Sequence, residues 1–153
     1  MRELVFALTF TGQAGPTPGS ATERRARTSA PSQALRAVLG AGGVESRFDE
    51  VAGERATLES RVERRSDGTF VEDGTITYGS AGGVAFVTVG RGHVGPSPVP
   101  GRVHGAVIWS VTGGHGRFAG AQGLITSNFT VEADGRVVDN HFARLYLPPG
   151  APA

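Results

Sequence analysis

The sequence predicts an all-β protein with a single antiparallel barrel of about eight strands as its one domain, residues 1–153. Apolar and polar residues alternate with a period of two along most of the chain, which is typical of strands. Turn pairs such as Asp67-Gly68 and Asp134-Gly135 join neighbouring runs locally. Because no strand–helix–strand alternation occurs, a closed barrel or a sandwich is favoured over a parallel sheet.

The N-terminal part of the chain begins with the clearest strand. In residues 4–10 every second side chain is large and apolar, and the proline-containing segment 12–19 that follows is expected to be a loop. Residues 32–39 are the one plausible short helix, since Pro31 precedes them, Ser32 could cap the helix and Gly40 could end it. A strand in this segment is the alternative.

The remainder of the chain is a series of hairpins. Segment 95–101 contains three prolines, which lack the amide donor that a central strand needs, so it is expected outside the sheet. The predicted strands are residues 57–64, 69–78, 84–89, 103–112, 124–131 and 137–147. A barrel of this size has a lumen that holds side chains or one small ligand.

Composition excludes several classes of function. The absence of cysteine leaves no thiolate chemistry and no cysteine-ligated metal, and since every basic residue is arginine, Schiff-base chemistry is excluded too. The net charge of +1 indicates neither nucleic acid nor an anionic membrane as a partner. The apolar N-terminus is too short for a secretion signal or a membrane span, so we expect a cytoplasmic protein.

A glycine-rich connection is the most distinctive feature of the chain. Residues 113–123 hold five glycines and lie between two apolar, strand-like runs. Glycines at this density indicate positive φ angles or close backbone approaches within one connection. The single large side chain there, Phe118, is expected to fold back as a plug over an apolar opening.

Residues 112–123, Thr-Gly-Gly-His-Gly-Arg-Phe-Ala-Gly-Ala-Gln-Gly, resemble the corresponding segment of the allene oxide cyclase and dirigent proteins. That resemblance implies a small antiparallel barrel that binds hydrophobic molecules and associates into homo-oligomers. Allene oxide cyclases carry a carboxylate and an amide on the first strand. Here that strand offers only Thr9, Thr11 and Gln13 and lacks the carboxylate, so we do not expect this chain to have allene oxide cyclase activity.

The last two strands carry the predicted catalytic residues. A two-residue turn at Asp134-Gly135 would set Asn128 opposite His141 and Thr130 opposite Asp139. His141 is then a candidate general acid or base, and Asn128 a candidate donor to a carbonyl or oxyanion. The alternative is a polar strip that faces solvent, and a three-residue turn would shift the register.

Other side chains are candidates for ligand contact or are set aside. The predicted ligand-binding residues are Trp109, Phe118, Tyr146, His104 and Thr126. Trp109 is by default a core residue and only secondarily a stacking wall. The four histidines lack metal-site spacing, so no metal is expected. No paired carboxylate is predicted, since Glu72 and Asp73 point to opposite faces of their strand.

Two functions remain open. The resemblance favours a cofactor-free cyclase or isomerase that holds a polyketide-, lipid- or terpenoid-like molecule in a reactive conformation inside the barrel. The alternative is a non-catalytic protein of the same fold that binds a hydrophobic ligand or a partner. An open cavity with two or three convergent polar groups would favour the enzyme, and a lumen filled by side chains would exclude it.

Overall fold

The computed structural model of the chain describes residues 1–150, and the last three residues of the predicted domain lie outside this range. Eleven strands and one short 3-10 turn, Gly79–Ala81, make up the described part. The strands are β1 Arg2–Pro16, β2 Glu23–Ala30, β3 Gln33–Gly40, β4 Gly43–Glu50, β5 Ala56–Arg64, β6 Thr69–Tyr78, β7 Gly82–Thr88, β8 Gly92–Pro96, β9 Arg102–Gly116, β10 Gln122–Glu132 and β11 Arg136–Leu147.

Eight of the strands form a closed antiparallel barrel. Around the ring the order is β1, β2, β5, β6, β7, β9, β10 and β11, and the pairing of β11 with β1 closes it. Every neighbouring pair is antiparallel, as expected where local turns connect the strands. The predicted all-β barrel is therefore confirmed.

The extra strand β8 shares one position in the ring with β7. Both lie between β6 and β9: β7 pairs with the later part of β6, and β8 pairs with its first residues, Thr69 and Phe70. A turn at Gly90, where φ is +65°, separates the two. Together they span the gap that one longer strand fills elsewhere in the barrel.

Alternation decides which side chains enter the lumen. In β11 every second residue from Val137 to Leu147 is buried, and the residues between them are exposed. The same period places Phe10 and Ile125 inside the barrel. Most of these inward side chains are apolar, and they fill the lumen towards the end where β11 finishes.

The register of the last hairpin differs from the prediction by one residue. Asn128 faces Asn140, and Ser127 faces His141. The cause is the turn, which has three residues, 133–135, and places Gly135 at a φ of +88°. Since a shift of one residue exchanges the two faces of a strand, β10 presents the opposite face from the one predicted.

The helix considered at residues 32–39 is wrong, and the strand alternative is correct. Segment β3 pairs with β4 in a separate two-stranded hairpin between β2 and β5. The strands β2 and β5 pair directly with each other, so the hairpin is an excursion from the ring. Its apolar pairs, Leu35 with Phe48 and Leu39 with Val44, are exposed.

The glycine-rich connection closes one end of the barrel. Phe118 is buried there, with its ring centroid 5.0 Å from that of Tyr78, so the predicted plug is confirmed. Gly116 and Gly120 have φ angles of +62° and +72°, which side-chain-bearing residues rarely adopt. The other end of the barrel is open.

The described residues include no helix with the length and apolar character needed to cross a bilayer.

Candidate functional site

A cavity of about 110 Å³ enters the barrel from its open end. Its walls are mainly apolar, and polar side chains from four strands converge within them. The apolar lining includes Leu58, Val62, Phe70, Val103, Phe129, Val131 and Val137, and the inner polar lining is Thr28, Glu72, Ser127 and Asp139. A partly apolar pocket with a few convergent polar groups is the kind of site in which small ligands bind.

Glu72 is a carboxyl group on the otherwise apolar inner face of β6. Its Oε1 accepts a hydrogen bond of 2.6 Å from the Ser60 hydroxyl, and its backbone amide donates to Thr88 Oγ1. Burial raises the pKa of Glu72 to about 8, and the negative charge of Asp139 adds to the rise while Ser60 opposes it. At neutral pH the group is therefore mostly a carboxylic acid.

Asp139 is the second carboxyl group at the cavity and has a different set of partners. Its Oδ1 accepts a 2.6 Å hydrogen bond from Ser127, and its Oδ2 lies 2.9 Å from His141 Nε2. The two contacts hold the carboxyl group of Asp139 in one orientation. The cavity therefore contains one carboxyl group in an apolar setting and one in a hydrogen-bonded setting.

Two aromatic rings contact the imidazole of His141, and a third supports one of them. His141 stacks on Phe10 with centroids 4.3 Å apart, and Trp109 meets it edge-on at 5.0 Å. Phe86 in turn stacks on Trp109, with ring centroids 4.2 Å apart. Since His141 is itself buried behind Asp139, it positions that carboxylate rather than lining the cavity.

Two buried nitrogens beside the carboxyl groups have no hydrogen-bond partner among residues 1–150. They are the indole Nε1 of Trp109 and Nδ1 of His141. The indole N–H lies close enough to Glu72 to favour its charged form slightly, but without good hydrogen-bond geometry. A buried polar atom without a hydrogen-bond partner is costly, so a ligand or a water that reaches either nitrogen would be stabilised there.

Arginines surround the mouth of the cavity. Arg24, Arg25 and Arg64 all contribute to its lining. Arg24 is half-buried and belongs to the same row of paired residues as Val62 and Glu72. Burial, and secondly the positive charge of Arg64, lower the pKa of Arg24.

The predicted site residues divide into two groups. His141, Trp109 and Phe118 are inside the barrel, but Phe118 is at the closed end, away from the cavity. Four others are exposed on the outer face: Asn128, Thr126, His104 and Tyr146. The register shift explains why Asn128 and His141 do not share a face.

Sequence reasoning missed Glu72, and it considered that Asp139 could orient His141 from the next position on the same face but did not count Asp139 among the site residues. The signal for Glu72 was present, because it shares a strand face with Phe70 and Ile76, which are large and apolar. The prediction that Glu72 and Asp73 point to opposite faces is correct. It did not reveal that the partner carboxylate of Glu72 comes from β11, across the lumen.

The arrangement supports proton transfer. A neutral carboxylic acid such as Glu72 can donate a hydrogen bond or a proton, while a positioned carboxylate can accept one, and two carboxyl groups in these roles are typical of acid–base sites. Among residues 1–150 no cluster of three or more histidine, aspartate or glutamate side chains has the geometry of a metal site.

Comparisons with protein-family models, curated proteins and solved structures found no match for the chain.

Proposed function

We propose that this protein is a cofactor-free isomerase or cyclase that moves a proton within a hydrophobic small molecule held in the barrel cavity. The observation that carries the proposal is the pair of unlike carboxyl groups, Glu72 and Asp139, at one apolar cavity. Strongly perturbed carboxyl groups in clefts are more common at functional sites than elsewhere.

The proposed reaction begins with a substrate that has a carbonyl group and an acidic neighbouring carbon. Asp139 takes the proton from that carbon, and the electron pair of the broken C–H bond moves to the carbonyl oxygen as an enolate forms. Glu72, as a neutral acid, donates a hydrogen bond to this oxygen and stabilises its charge. Return of the proton from Asp139 to a different carbon gives the isomer. Alternatively, the enolate carbon attacks a second carbonyl carbon of the same molecule, the electron pair of that C=O bond moves to its oxygen, and this oxygen takes the proton from Asp139 as the ring closes.

The size of the cavity limits what enters it. At about 110 Å³ it is slightly smaller than an engineered cavity of ~150 Å³ that holds benzene. A six-carbon ring, or the reactive end of a longer polyketide-, lipid- or terpenoid-like chain, matches this volume. The rest of a longer molecule would extend through the open mouth.

The test uses cyclohex-3-en-1-one, whose conversion to the conjugated cyclohex-2-en-1-one requires one proton to move from C2 to C4. We expect the purified protein to accelerate this conversion, followed by ultraviolet absorbance of the enone. The variants Glu72→Gln and Asp139→Asn should each lower the rate by about 100-fold or more. Asp73→Asn, a neighbouring carboxyl on the outer face of β6, is the matched control and should not change it.

Binding is measured on the same proteins, so that a lost reaction is separated from a lost ligand. The chain has a single tryptophan, and its indole N–H gives one isolated NMR signal beside Glu72. If the ketone shifts this signal but the rate of its conversion is the same with the unmodified protein and with both carboxyl variants, the protein is the non-catalytic binding module. If nothing shifts the signal and no ketone is converted, both functions are wrong.

We propose further that the protein associates with itself and works in the cytoplasm without a cofactor. An apolar outer patch supports self-association. It comprises Val5, Ile108, Leu124, Phe142 and Tyr146, exposed residues on the four adjacent strands β1, β9, β10 and β11. Patches of this kind often mark interaction surfaces.

A further inference from the structure

We propose that the arginines at the cavity mouth bind an anionic group of the ligand, so that the natural ligand is an organic anion with a small apolar body. This inference rests on the proposed function, because it concerns the same cavity, and it adds the charge and orientation of the molecule that enters. The group that recognises the anion is the pair of guanidinium ions of Arg24 and Arg64.

Eight of the fifteen arginines, Arg24 and Arg64 among them, form no salt bridge among residues 1–150, and of these eight only Arg24 is not exposed. Arg24 is the more informative of the two, since it is half-buried at an apolar rim. Buried charges in proteins are normally paired, because removal from water disfavours the ion. An unpaired guanidinium at the mouth of a cavity therefore has an open place for an anion.

The closeness of the two arginines to each other increases the preference of this site for an anion. The positive charge of Arg64 disfavours the charged form of Arg24, so each guanidinium ion repels the other. An anion placed between them removes the repulsion and accepts hydrogen bonds from both. A planar carboxylate matches the fork of a guanidinium group, which makes two parallel hydrogen bonds to it.

The position of Arg24 gives the ligand a direction. Arg24 and Glu72 belong to one register row with Val62 between them, so their Cα atoms are two strand spacings, about 10 Å, apart. An anionic group at the arginines leaves the apolar body of the ligand directed towards Glu72 and Asp139. It also keeps the negative charge of the ligand away from the Asp139 carboxylate, which would repel it.

The ordinary alternative is that Arg24 and Arg64 are solvated surface cations that only increase solubility. Arg64 alone is compatible with that view, since it is exposed. Arg24 does not fit the view of a solvated surface cation, because it is half-buried and its side chain contributes to the cavity wall together with Val62 and Glu72. The two interpretations differ in what the cavity should prefer to bind.

The experiment compares three molecules of one shape and three charges. Phenylacetate, phenylacetamide and 2-phenylethylamine are titrated into the full chain, and binding is followed by the Trp109 indole N–H signal. We expect phenylacetate to bind about tenfold or more tightly than the amide, since hydrogen bonds to charged groups are worth roughly twice those between neutral groups. The amine should bind most weakly.

Variants and salt locate the anion. Arg24→Gln should remove most of the preference for phenylacetate and leave the affinity for phenylacetamide within about twofold. Arg27→Gln is the matched control, because Arg27 lies on the outer face of the same strand and pairs with Glu59. In the unmodified chain, added salt should weaken the binding of phenylacetate and leave the affinity for phenylacetamide unchanged, since screening acts on charges.

The outcomes separate this inference from the proposed function. If the amide binds as tightly as phenylacetate, or if Arg24→Gln and salt leave the preference unchanged, the anion site is wrong while the cavity and its carboxyl pair remain. If none of the three molecules shifts the Trp109 signal, the anion site is wrong as well. Conversion of cyclohexenone, which carries no charge, then decides the proposed function separately.

Discussion

At the scale of single residues, the inner face of the barrel contains more polar groups than stability alone requires. Glu72 and Asp139 face a common cavity, and each is held by a serine hydroxyl, from Ser60 and Ser127. Replacing such buried polar groups by apolar ones of similar size is often neutral or stabilising in other proteins. Their presence together beside an open cavity is therefore better explained by chemistry than by folding.

The raised pKa of Glu72 makes stability depend on pH. The pKa is about 8 in the folded chain against a reference value of 4.5, so between these values the folded state binds the extra proton. The stability that Glu72 contributes is therefore complete below its reference pKa and is lost as pH rises towards its folded pKa, by up to about 1.4 kcal/mol per pH unit between pH 5 and pH 8. Urea unfolding at several pH values measures this slope for the wild-type chain and for Glu72→Gln.

The difference between the two proteins isolates Glu72 from Asp139 and His141, which face the same part of the lumen. Glu72→Gln should remove the fall in stability, and the indole signal of Trp109 should lose a titration step near pH 8 at the same time. A wild-type chain whose stability and Trp109 signal match those of the variant across this range would show that Glu72 is ionised at neutral pH. The proposed role of Glu72 as a neutral acid would then be wrong.

At the scale of elements, the glycine connection shows where backbone contact leaves no room for a side chain. A Cβ on Gly114 would lie 2.1 Å from the carbonyl oxygen of Phe118, whereas one on Gly113 would meet nothing within 4 Å. Gly114→Ala must move the backbone that carries the Phe118 plug. We expect a loss of about 1–3 kcal/mol in the free energy of unfolding, measured with urea.

Gly113→Ala is the control, because it adds the same methyl group one residue earlier at a negative φ angle. It should change the free energy of unfolding by no more than about 0.5 kcal/mol. Equal losses in the two variants would mean that glycine is needed here for strand flexibility and not for close approach. The Phe118 plug would then tolerate more displacement than the contacts indicate.

The elements also show how far sequence determines the fold. The period of two was sufficient to locate most strands, because alternation is a property of the local chain. It was not sufficient at residues 32–39, where Leu35, Val38 and Leu39 fit a helix or a strand and only pairing with β4 decides. The register of β10 against β11 depended on one extra turn residue, which moved Asn128 out of the site and Ser127 into it.

The site was less predictable than the fold for the same reason. Glu72, Asp139 and Arg24 come from β6, β11 and β2, and they line one cavity only because the ring of strands closes. The two-residue separation of Asp139 and His141 was visible, but their contact depends on the rotamers that Phe10 and Trp109 impose. No local pattern contains that information.

At the scale of the whole molecule, the outer face of β9, β10, β11 and β1 presents several exposed apolar side chains around the ion pair of Arg144 with Glu3. Phe142 has Thr126 and then Ile108 beside it in register, and Arg144 lies in the next row, between Val5 and Leu124. Patches of this kind on monomers are usually small, and a larger one marks a contact with another molecule. Thr126 and Tyr146, predicted as ligand contacts, thus lie where a second copy would bind.

Self-association through this patch predicts an unequal response to two matched substitutions on β11. Phe142→Asp replaces a large apolar side chain of the patch by a charge and should weaken association by about tenfold or more, since burial of a phenylalanine contributes roughly 1.5–3 kcal/mol. Val138→Asp adds the same charge on the same face, four residues away beside Thr130 and Thr11, and should have little effect. Sedimentation velocity over a range of concentrations measures both, and a wild-type chain that stays monomeric at high micromolar concentration would contradict the proposed interface. If the interface is correct, Phe142→Asp should still bind phenylacetate, because the cavity opens at the end of the barrel while the patch covers its side.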